Sequence, residues 1–389
     1  MMLAQKSLAL ETESAFDVLA RAQALSAQGK DVINLGIGQP DFKTSAHIVE
    51  AAVRALQDGH HGYTPAPGTD GLKESVAAYY DRFFDQAVSP DSVLVVPGGK
   101  VTMAFAMMLL GEPGREILYP DPGFPIYRSM AAYSGATPVP YGLHEAQGFS
   151  FKADEILAKL TPNTRLIILN SPGNPTGGSN NAAEVEALVK GLEAFPNCAV
   201  LSDEIYSRLH FDGQAHQTLL QFESLRDRLI VLDGWSKTYA MTGWRLGWGI
   251  WPQALIGAAT KLAINVHSCV NAPAQFAAQA ALEGPQDAVD SMRQAFQGRR
   301  DLVHARLNAM PGITAARPKG AFYAFPNISE LGLQAKQVQD IWLEELNVAA
   351  IAGTSFGDAG SDYIRLSFAN STEAINEALD RIEGWVRAL

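Results

Sequence analysis

The sequence contains few cysteines and no long hydrophobic run. Cys198 and Cys269 are its only cysteines in 389 residues, which is too few for a disulfide framework or a cysteine-rich metal site. They favour a reducing compartment, and residues 1–29 have an amphipathic, acidic pattern unlike a secretory signal, so we expect a cytoplasmic protein. The most apolar windows, such as 101–110, reach about half of the roughly 20 residues that a membrane-spanning helix needs. We therefore expect no membrane association.

The sequence also lacks basic clusters and internal repeats. Its 30 basic and 41 acidic residues give a net charge of -11, and no Lys/Arg run is present that could follow a phosphate backbone. Nucleic acid is therefore not expected as a partner. The composition, 47% hydrophobic and 18% charged, is that of a folded globular protein rather than a disordered one.

What the sequence does contain is a regular alternation of short apolar runs and longer helical patterns between about residues 92 and 250. Runs such as SVLVV, RLIILN, CAVLSD and RLIVLDG are rich in Val, Ile and Leu throughout, as strands covered on both faces are. The pattern predicts an α/β fold with a mostly parallel central sheet flanked by helices.

The length predicts more than one domain. We expect a large α/β domain over residues 41–284 and a smaller α+β domain over 285–389, where strands and helices are fewer and mixed. Residues 1–40 are predicted to form an N-terminal arm and a helix, over 14–28, that packs with the small domain.

Polar residues follow three of the predicted strands. RLIILN continues into a loop with Asn174, CAVLS ends at Asp203, and RLIVLDG leads to Lys237. Ligands in open α/β sheets bind beyond the carboxyl ends of the strands, so the three side chains are predicted to share one crevice. Each also has a simpler explanation, since Asp203 could cap a helix, Asn174 could belong to a Pro-Gly turn, and most lysines lie on the surface.

Seven short motifs are spread over nearly the whole chain. They are Gly36-Ile-Gly-Gln-Pro-Asp-Phe42, Tyr63-Thr-Pro, Pro97-Gly-Gly-Lys100, Asn174-Pro-Thr-Gly177, Asp203-Glu-Ile-Tyr206, Ser236-Lys237 and Tyr363-Ile-Arg-Leu366. In their order and spacing they together resemble the class I and II aminotransferases of the pyridoxal phosphate (PLP) fold type I family.

The resemblance implies a cofactor, pyridoxal 5'-phosphate, and roles for the residues that would hold its ring. Lys237 would carry the cofactor as a Schiff base and then move the proton at the substrate Cα, as anchor and general base. Asp203 would pair with the ring nitrogen, while Tyr206 and Asn174 would bond the phenolate oxygen. Phe124 matches the aromatic residue that stacks on the ring.

The resemblance also implies a phosphate site and a homodimer with shared active sites. Tyr63 matches a tyrosine that the family donates across the dimer interface to the cofactor phosphate of the partner. Within one chain the phosphate would bind at the start of a helix over 101–110 and to side chains that follow the strands. The residues concerned are Gly98, Gly99, Lys100, Ser236 and Arg245.

For the substrates, an L-amino acid and a 2-oxo acid, the resemblance points to Arg365. That residue matches the arginine that grips the α-carboxylate, with Asn174 beside it and the backbone of Gly38 closing over it. Lys100 resembles the lysine of the bacterial aspartate aminotransferase branch that meets the distal carboxylate of acidic substrates. Aspartate or glutamate with 2-oxoglutarate is therefore expected, although a lysine here also suits support of the cofactor phosphate.

Other functions are compatible with parts of the sequence. An aromatic or alanine-type aminotransferase, or a PLP-dependent β-lyase acting on cysteine conjugates, would use the same lysine, aspartate and arginine. A transcriptional regulator with this fold would carry a DNA-binding domain ahead of residues 14–28. The serine-hydrolase motif G-x-S-x-G occurs at 353–357, but a loop pattern follows it where that motif requires a helix.

Overall fold

A computed structural model describes residues 3–12 and 14–389 of the chain. The helices are α1 (Ser14–Ala27), α2 (Ala46–Gln57), α3 (Asp70–Phe84), α4 (Lys100–Leu110), α5 (Ile126–Ser134), α6 (Ala153–Lys159), α7 (Ala182–Gly191), α8 (Trp235–Thr238), α9 (Gln253–His267), α10 (Ala272–Glu283), α11 (Asp287–Asn308), α12 (Ala335–Glu344) and α13 (Thr372–Val386). The strands are β1 (Ile33–Asn34), β2 (Val93–Val96), β3 (Glu116–Asp121), β4 (Thr137–Gly142), β5 (Thr164–Asn170), β6 (Ala199–Asp203), β7 (Leu229–Gly234), β8 (Gly247–Ile250), β9 (Tyr323–Ala324), β10 (Val348–Ala349), β11 (Ile351–Ala352) and β12 (Ile364–Ser367).

The central sheet has seven strands in the order β2-β8-β7-β6-β5-β3-β4. Neighbouring strands from β7 to β4 are parallel, whereas β8 runs antiparallel to both β2 and β7. All residues of β2, β6 and β7 are buried, because helices cover both faces, and this accounts for the continuous apolar runs of the sequence. The predicted α/β fold with a mostly parallel sheet is confirmed.

Strands near the chain ends form two smaller sheets. β1 pairs in parallel with β10, and β11, β12 and β9 form an antiparallel sheet. Side chains of α12 and α13, such as Trp342 and Leu379, belong to a core of their own with β9 and β12. Helix α1 packs on this part of the chain, where Val18 contacts the cluster around Leu343 and Arg21 binds Asp340 at 2.6 Å. The domain boundaries at residues 40 and 284 stay a prediction.

No helix among the described residues is both long and apolar enough to span a bilayer.

One further buried carboxyl group, that of Asp233, lies in β7, one residue before the end of the strand. Asp233 is 1% exposed and accepts hydrogen bonds of 2.6 Å from Ser207 Oγ and from the Gly234 N–H. Burial raises the pKa of Asp233 well above its usual range, and the nearby Glu204 and Asp203 raise it further. The folded chain therefore binds a proton here that the unfolded chain releases near pH 4.

This proton makes the stability of the protein depend on pH. Because the folded-state pKa of Asp233 is raised, its favourable contribution is present below about pH 4 and is lost as the pH rises, by up to about 1.4 kcal/mol per pH unit. Asp233→Asn keeps the shape, the bond from the Gly234 N–H and, with the direction of donation reversed, the bond with Ser207 Oγ. It should raise the apparent Tm at pH 7 to 8 and flatten its pH dependence. Thermal unfolding of both proteins from pH 5 to 9 tests this, with the exposed Asp227→Asn as control. Equal pH profiles for wild type and Asp233→Asn would refute it.

Candidate active site

The carboxyl ends of β5, β6 and β7 open onto one cavity of about 470 Å³. The cavity brings together most of the side chains predicted from the sequence, which come from many separate segments of the chain. Gly98 and Tyr63 do not line it. Those that do are Gly38, Gly99, Lys100, Phe124, Asn174, Asp203, Tyr206, Ser236, Lys237, Arg245 and Arg365.

Lys237 lies on α8, the single helical turn that follows β7. Gly234, the last residue of β7, is needed there because a Cβ would come within 2.8 Å of the Gly247 Cα on the adjacent strand. The chain then turns so that Lys237 Nζ donates to the Gly38 carbonyl oxygen at 2.5 Å and lies 5.6 Å from the centre of the Phe322 ring. An amine in such a largely apolar setting suits covalent carbonyl chemistry.

Asp203 ends β6 and is 2% exposed. No helix begins at residues 204–218, so the alternative explanation of Asp203 as a helix cap does not apply. Its Oδ2 accepts a hydrogen bond of 2.5 Å from Tyr127 Oη, and its Oδ1 accepts one of 3.3 Å from the Ile205 N–H. Burial raises the pKa of Asp203 to about 6, against these bonds and the charge of Lys237, which lower it.

Tyr206 is also buried and is linked to the loop that carries Gly38. Its hydroxyl lies 2.8 Å from that of Tyr323. A Cβ at Gly38 would lie 2.2 Å from Tyr323 Oη, so only glycine allows the loop to approach the tyrosine so closely. This packing places the Gly38 carbonyl opposite Lys237.

An anion site is built where β2 leads into α4. Gly98 has a φ of 95°, and a Cβ there would lie 2.2 Å from Arg245 Nη2, so the guanidinium lies directly against the glycine. Arg245 itself is held at a left-handed φ of 55° and donates to the Thr242 carbonyl at 2.9 Å. Helix α4 begins at Lys100 and no side chain caps it. Backbone N–H groups and a guanidinium therefore converge, as phosphate binding requires.

Arg365 enters the cavity from β12 and is 3% exposed. Its Nη1 donates to Asn174 Oδ1 at 2.9 Å and its Nη2 to the Gly36 carbonyl oxygen, while its guanidinium lies 4.7 Å from the centre of the Tyr323 ring. Arg365 is therefore not a surface arginine, since its side chain is buried in the cavity wall.

Lys100 and Phe124 lie side by side in the wall of the cavity. Lys100 Nζ is 5.0 Å from the centre of the Phe124 ring and 5.8 Å from that of Phe16 on α1. Together with Lys237, Arg245 and Arg365 it makes the lining of the cavity cationic, since Asp203 is the one acidic residue among the described residues that line it.

Tyr63 lies outside the cavity of its own chain, with 93% of its side chain exposed. Exposed apolar residues occur on nearby α2 and on α9, among them Val53, Leu56, Ile264 and Val266. Exposed tyrosine and apolar side chains are typical of protein interfaces.

The sequence did not single out three residues that complete the site. Asn170 accepts from the Asn174 N–H at 2.9 Å and donates to the Asp203 carbonyl at 3.0 Å, and its position at the end of β5 could have indicated this. Tyr127 and Tyr323 contact Asp203 and Tyr206 respectively. No local pattern distinguishes either tyrosine from one of the core.

Comparison with known proteins identifies the family. The family model "Aminotransferase class I and II" matches residues 30–382. The chain belongs to the class I and II aminotransferases. It is 36% identical to an aspartate aminotransferase of Geobacillus stearothermophilus, over 100% of both chains. Among solved structures it resembles an aspartate aminotransferase from Rhizobium meliloti, with 33% identity and a TM-score of 0.94 over 100% of this chain and 99% of the other. It also resembles an alanine aminotransferase from Pyrococcus furiosus, with 32% identity and a TM-score of 0.93 over 100% of both chains.

The chain is thus a PLP-dependent aminotransferase of fold type I, which confirms the family, reaction and cofactor predicted from the sequence. The site fits pyridoxal phosphate in three respects. A side chain at Gly98 would displace the guanidinium of Arg245, which lines the cavity as a phosphate-binding group. The buried Asp203 suits a protonated ring nitrogen, and Lys237 is placed for a covalent bond to an aldehyde.

Proposed function

We propose that this aminotransferase exchanges the α-amino group between the acidic amino acids aspartate and glutamate and their 2-oxo acids, with 2-oxoglutarate as the acceptor for aspartate. The observation that carries the proposal is the cationic lining of the cavity, with Lys100, Lys237, Arg245 and Arg365 against Asp203. A phosphate and a substrate with two carboxylates match this excess of positive charge better than an apolar amino acid does. The relatives named as aspartate aminotransferases support the same choice.

Each side chain of the cavity has a defined task in this proposal. When bound, pyridoxal phosphate supplies the electron sink that makes the substrate Cα–H acidic. Lys237 anchors the cofactor and moves the proton at the substrate Cα, and Asp203 holds a proton on the ring nitrogen. Tyr206 and Asn174 orient the ring by bonding its phenolate oxygen, and Phe124 covers one face.

The charged groups of substrate and cofactor are bound by the remaining residues. The N–H groups at Gly99 and Lys100, with Ser236 and Arg245, bind the phosphate. The predicted contribution of the Gly98 N–H is not supported, because this group donates to the Val96 carbonyl oxygen at 2.7 Å. Arg365 binds the α-carboxylate as a fork, and Gly38 closes the site above it. The ammonium of Lys100 attracts the distal carboxylate from beside Phe124.

We further propose that two chains form a homodimer in which the Tyr63 hydroxyl of one chain binds the cofactor phosphate of the other. The proposal is supported by the exposure of Tyr63 and by the exposed apolar residues of α2 and α9. A cytoplasmic location is likewise proposed, and the low cysteine content supports it.

Lys100→Met tests the choice of substrate, because methionine keeps the length of the side chain and removes its charge. We expect kcat/KM for aspartate and glutamate to fall about 10- to 100-fold, the effect of losing a charged hydrogen bond, with little change for alanine or phenylalanine. Steady-state assays of wild type and variant measure it, with 2-oxoglutarate as the acceptor for aspartate, alanine and phenylalanine. Glutamate is assayed with oxaloacetate as the acceptor, because glutamate and 2-oxoglutarate only convert into each other. The exposed Lys336→Met serves as control.

Other results of this assay would support the alternative functions. An equal loss for all four substrates would mean that Lys100 supports the cofactor phosphate instead. A wild type that prefers alanine or phenylalanine would indicate an alanine or aromatic aminotransferase. Fast pyruvate and thiol release from a cysteine conjugate, without any amino acceptor, would indicate a β-lyase.

A further inference from the structure

Tyr127 lines the cavity, contacts Asp203 and has no part in the function proposed above. It is the second residue of α5 and is fully buried. Its hydroxyl donates to Asp203 Oδ2 at 2.5 Å, and its ring packs edge-on against Phe124 at 5.9 Å between centroids. The same side chain therefore touches both the carboxylate and the aromatic residue that are expected to contact the cofactor ring.

The bond from Tyr127 has two effects on the carboxylate. With the Ile205 N–H on Oδ1 and the Tyr127 hydroxyl on Oδ2, each oxygen of Asp203 has one donor and the plane of the group is fixed. A donor also stabilises the charged form of an acid. Burial and the charge of Asp203 raise the pKa of Tyr127 well above its usual range, so the phenol keeps its proton and remains a donor.

We propose that Tyr127 is a positioning residue that makes Asp203 the weaker base of its pair with the cofactor ring nitrogen, so that their shared proton stays on the nitrogen. The proposal rests on the proposed role of Asp203.

The surroundings of Asp203 explain why such a donor is needed. Burial raises its pKa to about 6, and the adjacent Glu204 raises it further, whereas Lys237 lowers it. A carboxyl group of that basicity competes with a pyridine nitrogen for one proton. If Asp203 took the proton, the ring would be neutral and would withdraw electrons less strongly from the substrate Cα. The Tyr127 hydroxyl shifts the competition towards the nitrogen.

Tyr127→Phe removes the donor with little change of shape. With ¹⁵N-labelled pyridoxal phosphate bound to the variant, we expect the NMR signal of the ring nitrogen to move from the protonated towards the unprotonated position. We also expect kcat to fall about 10-fold or more, the effect of losing a charged hydrogen bond, with KM nearly unchanged. Replacing Tyr127 with 3-fluorotyrosine, a more acidic phenol, should move the nitrogen signal further towards the protonated position. This measurement tests the role of Tyr127 even if Tyr127→Phe does not fold.

A matched control removes another buried phenol, that of Tyr141 in β4. Tyr141 is 2% exposed and donates to the Ile168 carbonyl at 2.7 Å, so Tyr141→Phe should leave the nitrogen signal in place. A signal unmoved in both Tyr127 variants, or moved as far in Tyr141→Phe, overturns the proposal. Asp203→Asn separates the two levels: if it deprotonates the nitrogen while the Tyr127 variants do not, only the role of Tyr127 fails. If it leaves the nitrogen protonated, the proposed role of Asp203 fails as well.

Discussion

Lys237→Ala is expected to abolish the covalent link to the cofactor and to lower kcat by roughly 10⁴-fold, the upper range for loss of a positioned proton-transfer group. The amine of Lys237, on α8, lies opposite the Gly38 carbonyl. Lys100 is the one other lysine among the described residues that line the cavity. Borohydride reduction of the wild type should fix the visible chromophore on the peptide that contains residue 237. Absorbance spectra, peptide mapping and single-turnover kinetics measure these effects.

Lys100 provides the matched control for this experiment, since it lies in the wall of the same cavity. Lys100→Met should keep the chromophore and its attachment to Lys237, although it weakens the binding of acidic substrates. If Lys237→Ala still bound the cofactor covalently and turned over, the assignment of the anchor would be wrong.

The same variant tests the shared active site. Mixed dimers of Lys237→Ala and Tyr63→Phe chains contain one site with neither substitution, if Tyr63 acts across the interface. Their activity should exceed the mean of the two parent proteins. Activity equal to that mean would show that Tyr63 acts within its own chain or not at all.

The sequence was sufficient to predict the sheet and the residues at its carboxyl edge. Asn174, Asp203 and Lys237 follow apolar strands that neighbour one another, and parallel strands bring their ends together whatever the loops do. These positions follow from local periodicity and one topological rule, so they do not depend on details of side-chain packing.

Contacts between distant parts of the chain could not be predicted in this way. Tyr127 meets Asp203 across 76 residues of sequence, and Tyr206 meets Tyr323 across 117. From the sequence, either tyrosine could equally be a core residue, because core aromatic side chains occur on helices and strands with the same periodicity. Arg365, 191 residues from Asn174, was placed in the site only by the resemblance to the family.

Arg365→Lys is expected to raise KM for both the amino acid and the 2-oxo acid about 10- to 100-fold and to lower kcat less. Lysine keeps the charge, but it lacks the planar fork that binds a carboxylate through two parallel bonds. It also loses the bond to Asn174 and the contact with the Tyr323 ring that hold the guanidinium in place. Steady-state kinetics and the affinity for a dicarboxylate inhibitor such as maleate measure the effect.

Arg300 offers a control that separates substrate binding from stability. It is 1% exposed and is bound by Asp212 at 2.7 Å and the Pro318 carbonyl at 2.7 Å, and it does not line the cavity. Arg300→Lys should lower the Tm and leave KM close to that of wild type, because the lost guanidinium binds Asp212 and the Pro318 carbonyl and not the substrate. If both variants changed Tm and neither changed KM, Arg365 would be structural, and the α-carboxylate would have to be bound by another cation of the cavity.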